Sequence, residues 1–342
     1  MNNPRFTNQL SFSVALCVGL LILMTPEIPA QQTVPITNTL LDKHYYDESA
    51  SYCAGNNILF YNGQTGSGMA GKMDRNGFQV TQSFDAGKFA TGWTHVANVE
   101  FMSSILFYNA STGDAALGTL DHGIFSTTKT YNNLSHGWTN ILYVGLNNNH
   151  ALFYNSVTGG AVLGFAPTTR TYKKGDFPPE WTHIVWNNAG TLFYDTYKGS
   201  GAITEPMVAP GTPGPFAPLN DLKTTRSFDN GAFTTQWSHV VATQSHVLFY
   251  NRTDGSAAIG TLSSSNFDTR KKYERGKLSA EWTHVVSTGD DNLFFYNSLT
   301  GSAAIAKIVG DELQTTKTLG PDSFARGYTL VICSADAPPQ PH

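Results

Sequence analysis

A four-residue phrase, Leu-Phe-Tyr-Asn or a close variant, recurs six times along the 342-residue chain. Its central aromatic residues are Phe60, Phe107, Phe153, Phe193, Phe249 and Phe295. They are spaced 47, 46, 40, 56 and 46 residues apart. A second phrase, Trp-Thr-His or a variant, interleaves with the first at spacings of 45, 43, 56, 45 and 46 residues. Two independent markers with one period indicate six structural repeats.

Each repeat divides into four short segments that predict β-strands. The Leu-Phe-Tyr segment ends at Asn, and a Thr-Gly pair usually follows two residues later, which is typical of a tight hairpin turn. A segment of small and apolar residues comes next, for example 115–120, and then one rich in Thr, Phe and Tyr, for example 125–131. The Trp-Thr-His segment is the fourth. Four strands in about 45 residues match one blade of a β-propeller.

Six such units predict an all-β fold, a six-bladed β-propeller with four-stranded blades, in which ring closure removes the exposed sheet edges. The alternative is a stack of separate sandwiches, which would need linkers, and the sequence between the repeats shows none. Only 13% of residues are charged, which leaves little material for the solvent faces of long helices. The net charge of −4 argues against a nucleic-acid partner.

The first thirty residues have the layout of a secretory signal peptide. One positive charge precedes an apolar run at 10–24, and a small residue, Ala30, stands at the expected cleavage site. We therefore expect a signal peptide at 1–30, a linker at 31–50, the propeller at 51–336 and a tail at 337–342. The mature protein is expected to be secreted, either periplasmic or extracellular, with no membrane span. A retained N-terminal anchor is the alternative.

Two cysteines remain after removal of the predicted signal peptide, Cys53 and Cys333. The repeat places their equivalents in the second unit only two residues apart, at Asn98 and Glu100. A closed ring would bring the two sulfur atoms together, so we predict a disulfide that locks the ring. Two free buried thiols are the alternative.

The fourth repeat carries an insertion. The segment from Phe193 to Trp237 is 44 residues long, whereas the segment from Phe60 to Trp93 is 33. The additional residues lie in the Pro- and Gly-rich stretch 205–218, which predicts a long loop on one face of the ring. Such a loop can serve a function or be a tolerated insertion.

Sequence motifs for catalysis or cofactor binding are few. Residues 66–71 match the Gly-x-Gly-x-x-Gly dinucleotide pattern, but the same slot in other repeats is a hairpin turn rather than a strand-to-helix turn. The dense acidic loops of calcium-binding propellers do not occur in the sequence. We therefore expect no cofactor and no metal site, and we assign no catalytic residue.

Aromatic and histidine side chains at repeated positions are the candidate ligand-binding residues. Within each Trp-Thr-His phrase the Trp and the His share one face of a strand, and an aromatic ring beside a hydrogen-bonding group suits a sugar. Tyr143 and Trp186 occupy a second equivalent slot, five residues after Trp138 and Trp181, which has no aromatic counterpart in the other repeats. The full set of candidates is Trp93, His95, Trp138, Tyr143, Trp181, His183, Trp186, Trp237, His239, Trp282, His284 and Tyr328. The alternative is that each His hydrogen-bonds its own blade and each Trp packs in a core.

The phrase Leu-Phe-Tyr-Asn-x-x-Thr-Gly followed by Trp-Thr-His resembles the repeats of exported propeller lectins of the tachylectin and tectonin type. The resemblance spans residues 58–333 and implies non-enzymatic glycan binding at repeated, multivalent sites. Asn140 and Leu330 depart from the His position, and Tyr328 from the Trp position. We therefore expect a lectin-like, carbohydrate-binding protein whose partners are glycans or glycoconjugates.

Two alternative functions stay open. One is a protein-interaction propeller that uses one face and the 205–218 loop. The other is an extracellular enzyme with a site at the central channel.

Overall fold

The computed structural model describes residues 51–74, 77–100, 104–145, 151–165, 168–208 and 219–336. The predicted signal peptide, linker and C-terminal tail lie outside the described residues, as does most of the long loop. The described residues contain no helix that is long and apolar enough to span a membrane.

Twenty-four strands make up the described fold. In chain order they are β1 (Asn57–Tyr61), β2 (Gly68–Asp74), β3 (Gly77–Phe84), β4 (His95–Glu100), β5 (Ser104–Tyr108), β6 (Ala115–Asp121), β7 (Ile124–Tyr131), β8 (Asn140–Tyr143), β9 (Ala151–Asn155), β10 (Gly160–Leu163), β11 (Arg170–Tyr172), β12 (His183–Asn187), β13 (Gly190–Asp195), β14 (Ser200–Val208), β15 (Leu219–Phe228), β16 (His239–Ala242), β17 (Val247–Tyr250), β18 (Ala257–Leu262), β19 (Phe267–Tyr273), β20 (His284–Ser287), β21 (Asn292–Asn297), β22 (Ser302–Val309), β23 (Glu312–Leu319) and β24 (Leu330–Ser334).

These strands form six antiparallel four-stranded sheets, which confirms the predicted six-bladed propeller. Strands β4, β8, β12, β16 and β20 each begin a blade and lie innermost, next to their counterparts in the neighbouring blades. The first blade is different, because its innermost strand is the last strand of the chain, β24, which pairs with β1. Five residue pairs from Asn57–Ser334 to Tyr61–Leu330 join these two strands. The ring is therefore closed by backbone pairing between the two ends of the domain.

The Leu-Phe-Tyr segments form the second strand of each blade and are buried on both faces. Each tyrosine donates its hydroxyl to a backbone carbonyl of the loop that leads into the next blade, at 2.6–2.8 Å. A buried hydroxyl needs such an acceptor, which accounts for Tyr rather than Phe in all six copies.

The turn after each of these strands depends on its Asn and Gly. In the second blade the Asn109 side-chain oxygen accepts hydrogen bonds from the backbone N–H groups of Ser111 and Thr112. Gly113 has φ of +76°, and a Cβ atom there would lie 2.0 Å from the carbonyl oxygen of Leu134. Glycine is required at this turn because the backbone is left-handed and the next loop lies directly against it.

Cys53 and Cys333 form a disulfide with Cα atoms 6.0 Å apart, so the predicted pairing is confirmed.

The insertion in the fourth repeat lies in the outer hairpin of the fourth blade. Its two strands, β14 and β15, are nine and ten residues long and extend that hairpin. The residues 209–218 that connect them lie outside the described residues.

Candidate functional site

The histidines at the repeated position form a hydrogen-bonded belt at one end of the ring, where the innermost strands begin. Nε2 of each His lies 3.1–3.4 Å from a backbone carbonyl oxygen of the next blade, at Thr139, Ser238, Thr283 or Thr329. Since a carbonyl only accepts, Nε2 must carry the proton. The Nδ1 atom is then an acceptor, and it faces the hydroxyl of the preceding Thr or Ser at 2.8–2.9 Å. We call this end of the ring the belt end.

Asn140 takes the place of His in the third blade with the same polarity. Its Nδ2 atom donates to the carbonyl of Thr182, and its Oδ1 atom accepts from the Thr139 hydroxyl. The amide therefore reproduces the donor and the acceptor of a neutral imidazole. Leu330, in the first blade, offers neither group.

Burial keeps three of the belt histidines, His183, His239 and His284, neutral. Desolvation lowers the pKa of His183 and of His284 to about 4, although their backbone acceptors favour the charged form. Burial likewise holds the pKa of His239 well below its usual value. Both ring nitrogens of these side chains are committed to the protein, so the belt joins adjacent blades.

The repeated tryptophans pack at the same end. Each of the five has its ring 6.0–6.2 Å from the phenylalanine ring of its own blade's Leu-Phe-Tyr strand. Trp181, Trp237 and Tyr328 are buried, and Trp93, Trp138 and Trp282 are half-buried against the core. Tyr328 packs against Phe60 at 5.2 Å.

Tyr143 and Trp186 lie far along the innermost strands, toward the opposite end of the ring. Their rings meet edge to face at 5.4 Å, and both are buried in a cluster that also contains Tyr52. Burial raises the pKa of Tyr143 to about 12. These two residues, which already had a slot of their own in the sequence, therefore lie apart from the belt-end aromatics.

Residues 51–56, which we call the strap, cross the ring at this second end. The backbone N–H of Tyr52 donates to the carbonyl of Trp186 in the fourth blade, at 2.8 Å. The carbonyl of Cys53 accepts from Gly289 in the sixth blade, at 2.9 Å, and its sulfur is bonded to Cys333. The strap thus contacts several blades before the chain enters β1. We call this the strap end.

A cleft of about 670 Å³ opens at the strap end between the first and sixth blades. Strap residues 54–56 line it together with Thr288, Gly289, Asp290 and Asn292. Asp74 and Asp336 add two more carboxylates. The Thr288 hydroxyl is buried and has no hydrogen-bond partner among the described residues.

Two adjacent aspartates at this end have opposite roles. Asp291 accepts hydrogen bonds from the Thr243 hydroxyl at 2.6 Å, the Ser245 N–H at 3.0 Å and His246 Nδ1 at 3.2 Å. Burial alone would raise the pKa of Asp291, but these donors outweigh it and the pKa is lowered. The carboxylate of Asp291 is therefore held ionised and committed to the turn.

Asp290 makes no side-chain hydrogen bond or ion pair with the described residues. Its backbone is left-handed, with φ of +44°, which is uncommon for a residue with a side chain. The neighbouring Tyr52 has a raised pKa because it is buried and because Asp290 and Asp291 lie close to it. Asp290 is thus an exposed, uncommitted carboxylate at the mouth of a cleft.

One further group could hold a metal ion. Asp121, His122 and Asp336 bring their ligand atoms within 4.8 Å of one another. Asp336 is already occupied, because it accepts from Asn57, from the N–H of His122 and from Lys72 at 3.2 Å. These contacts are typical of a turn that is stabilised by hydrogen bonds and an ion pair.

The cleft residues at the strap end were missed by the sequence analysis, although Tyr143 and Trp186 nearby were among its candidates. Asp290 and Thr288 lie in a turn that differs in every blade, so the repeat does not mark them. The sequence carries one signal for this end of the ring, because the fourth residue of the innermost strand differs in type from blade to blade. In the order of the sequence, these residues are Asn98, Tyr143, Trp186, Ala242, Ser287 and Cys333.

Searches for relatives show the fold and no family. No family model matches the chain, and no curated protein matches it. The periplasmic gluconolactonase PpgL of Pseudomonas aeruginosa is 9% identical and aligns with a TM-score of 0.50, over 79% of this chain and 97% of that one. A candidate 6-phosphogluconolactonase from Bacteroides uniformis is 12% identical, with a TM-score of 0.45 over 78% and 83%. The Cps50 β-propeller domain of Myceliophteria thermophila is 12% identical, with a TM-score of 0.42 over 79% and 87%.

The prediction of a lectin-like, carbohydrate-binding function is wrong. The solved structures that share the fold include a gluconolactonase, so the propeller by itself does not imply a lectin. The physical reason lies in the repeated residues, since the histidines are buried with both ring nitrogens engaged and the tryptophans pack against the core. The repeated residues therefore form contacts within and between adjacent blades. The expected partners, glycans or glycoconjugates and a protein, stay predictions.

Proposed function

We propose that the protein is an exported hydrolase that acts on a small ester or lactone in the strap-end cleft. One observation carries the proposal. Asp290 makes no side-chain hydrogen bond or ion pair with the described residues, has left-handed backbone and lines the 670 Å³ cleft. A free carboxylate in a cleft can act as the general base of acyl hydrolysis.

The roles follow from the donors and acceptors present. Asp290 takes a proton from a water molecule, and the resulting hydroxide attacks the acyl carbon of the substrate. The C–O bond to the alcohol then breaks, and Asp290 returns its proton to the departing oxygen. One water is consumed, giving an acid and an alcohol, or a hydroxy acid from a lactone.

Two observations support the choice of a small ester or lactone as the substrate. The cleft carries hydroxyl, amide and carboxylate groups, which suit a small polar molecule. The gluconolactonase of P. aeruginosa has the same fold, and this is the reason for placing lactones first among the substrates to test. An exported location is part of the proposal, and the Cys53–Cys333 disulfide supports it because such bonds persist in oxidising compartments.

The test is a panel of neutral lactones and short-chain esters, assayed by acid release with the purified protein. We expect turnover on at least one member. The Asp290→Asn variant should lose at least 100-fold in kcat/KM, since asparagine tolerates the left-handed backbone but is no base. Asp229→Asn, at an exposed belt-end aspartate, is the matched control and should keep full activity. A folded protein that turns over no member of the panel, or an Asp290→Asn variant with undiminished activity, would contradict the proposal.

A further inference from the structure

A pocket of about 230 Å³, which we call the fourth-blade pocket, lies between the third and fourth blades. One wall is the face of the fourth blade that carries Phe193 and Ala202, and a second wall holds Phe177 and Trp181 from the segment that joins the two blades. The described residues that line the pocket carry no charge, and most of them are apolar. None of them lines the strap-end cleft, so the two sites are separate.

Three other blades fill the equivalent space with a phenyl ring. In the first, second and fifth blades a glycine of the third strand lies beneath a phenylalanine of the outermost strand, and a Cβ atom at the glycine would overlap that ring. The ring also packs against the phenylalanine of the Leu-Phe-Tyr strand, with ring centroids 5.4–5.6 Å apart. The three pairs are Gly71 with Phe78, Gly118 with Phe125, and Gly260 with Phe267.

The fourth blade lacks both members of this pair. The strand register places Thr204 at the glycine position and Leu222 at the phenylalanine position. A phenyl ring placed like that of Phe267 would overlap the Cβ atom of Thr204, so the two differences go together. In the fifth blade, where Phe267 lines the equivalent pocket, only about 100 Å³ remains. The larger volume in the fourth blade is therefore space that a phenyl ring occupies elsewhere in the same molecule.

We propose that the fourth-blade pocket binds a small molecule with one aromatic ring and one polar substituent. The ring packs against Phe193 and Trp181, where it restores the dispersion contacts that an empty pocket forfeits. The volume is sufficient, since an apolar cavity of about 150 Å³ binds benzene. Thr224 and Ser227 line the pocket and are exposed, so their hydroxyl groups hydrogen-bond the substituent at the solvent side.

The experiment titrates 4-fluorobenzyl alcohol into the purified protein and follows the probe by fluorine NMR. Ala202→Met fills the pocket from its wall, and the first blade accommodates the same side chain at the equivalent position, Met69. Ala202→Val is a milder change, for which the third blade has Val162 at the equivalent position. Ala116→Met, at the equivalent position of the second blade, is the matched control. Circular dichroism checks that each variant is folded.

We expect saturable binding of one probe molecule per chain. Ala202→Val should weaken it about threefold and Ala202→Met about tenfold or more, whereas Ala116→Met should leave it unchanged. The absence of saturable binding to the folded natural protein would overturn the proposal. Undiminished binding by the Ala202 variants would also overturn it, because the probe would then bind elsewhere. If Ala202→Met does not fold, the Ala202→Val variant decides between these outcomes.

Two further results would contradict the proposal. Equal weakening by Ala116→Met and Ala202→Met would show that the effect is not local to the fourth blade. Binding that appears only in a Phe216→Ala variant would show that the occupant of the pocket is the connecting segment 209–218 of the chain itself. The readout requires no turnover, so failure of the proposed hydrolysis and failure of this binding site are separate results.

Discussion

At the scale of single residues, the structure explains why particular side chains recur. Burial keeps His183, His239 and His284 neutral. Their proton lies on Nε2 because a carbonyl of the next blade faces that atom and a hydroxyl faces Nδ1. Asn140 shows that an amide meets the same two requirements. The belt therefore selects for a donor and an acceptor in fixed positions rather than for a titratable group.

Replacement of His183 tests this interpretation. His183→Asn should change the free energy of unfolding by less than about 1 kcal/mol, because it retains both hydrogen bonds. His183→Ala should cost about 2–4 kcal/mol, because it leaves a cavity and unpaired buried groups. Urea unfolding of the two variants is the measurement. Equal destabilisation by both substitutions would show that the polarity of the belt is unimportant.

At the scale of elements, the hairpin turns that follow the Leu-Phe-Tyr strands depend on glycines with no space for a side chain. In the second blade, the backbone carbonyl of Leu134 lies where a Cβ atom of Gly113 would be. Gly231 has a similar φ of +81°, but a Cβ atom there would have no neighbour within 4 Å. A comparison of the two positions therefore separates the cost of left-handed backbone from the cost of contact with the next loop.

Alanine substitutions at these two glycines have different expected costs. Gly231→Ala should cost about 1 kcal/mol, from left-handed backbone alone. Gly113→Ala should cost about 3 kcal/mol, because it adds a clash with the carbonyl of Leu134 to the same strain. Thermal and urea unfolding of both variants give the comparison. A smaller loss for Gly113→Ala than for Gly231→Ala would show that the turn moves freely away from the next loop.

At the scale of the whole molecule, the belt makes stability depend on pH. The pKa of His183 and of His284 is about 4 in the folded protein, whereas an unfolded histidine has a pKa near 6.5. The unfolded state therefore binds more protons between these values, and stability falls as the pH is lowered from about 6.5 to 4. Each of the two residues accounts for roughly 3 kcal/mol by pH 4.

The measurement is the free energy of unfolding between pH 7 and pH 4, for the natural protein and for His183→Asn. The variant should lose less stability over this range, since it lacks one of the buried titrating groups. Parallel curves for the two proteins would contradict the belt's part in the pH dependence.

The sequence predicted the fold and the disulfide because both depend on the period. Blades built on one repeated pattern place their strands and turns by repetition, and the same alignment brings Cys53 beside Cys333. The candidate site at the strap end is not repeated. Asp290, Thr288 and the strap meet only after the ring has closed, so no spacing along the chain marks them. The repeated Trp and His residues misled the functional interpretation because a repeat records packing between blades as readily as binding.

The central claim is that the working surface is the strap end and not the belt end. Hydrogen–deuterium exchange with a saturating lactone or its hydrolysis product, compared with the free protein, tests this most directly. The account predicts added protection in residues 51–56 and 288–292 and none in the belt-end turns that follow the Leu-Phe-Tyr strands. Protection confined to those turns, with no change at the strap or at residues 288–292, would contradict it.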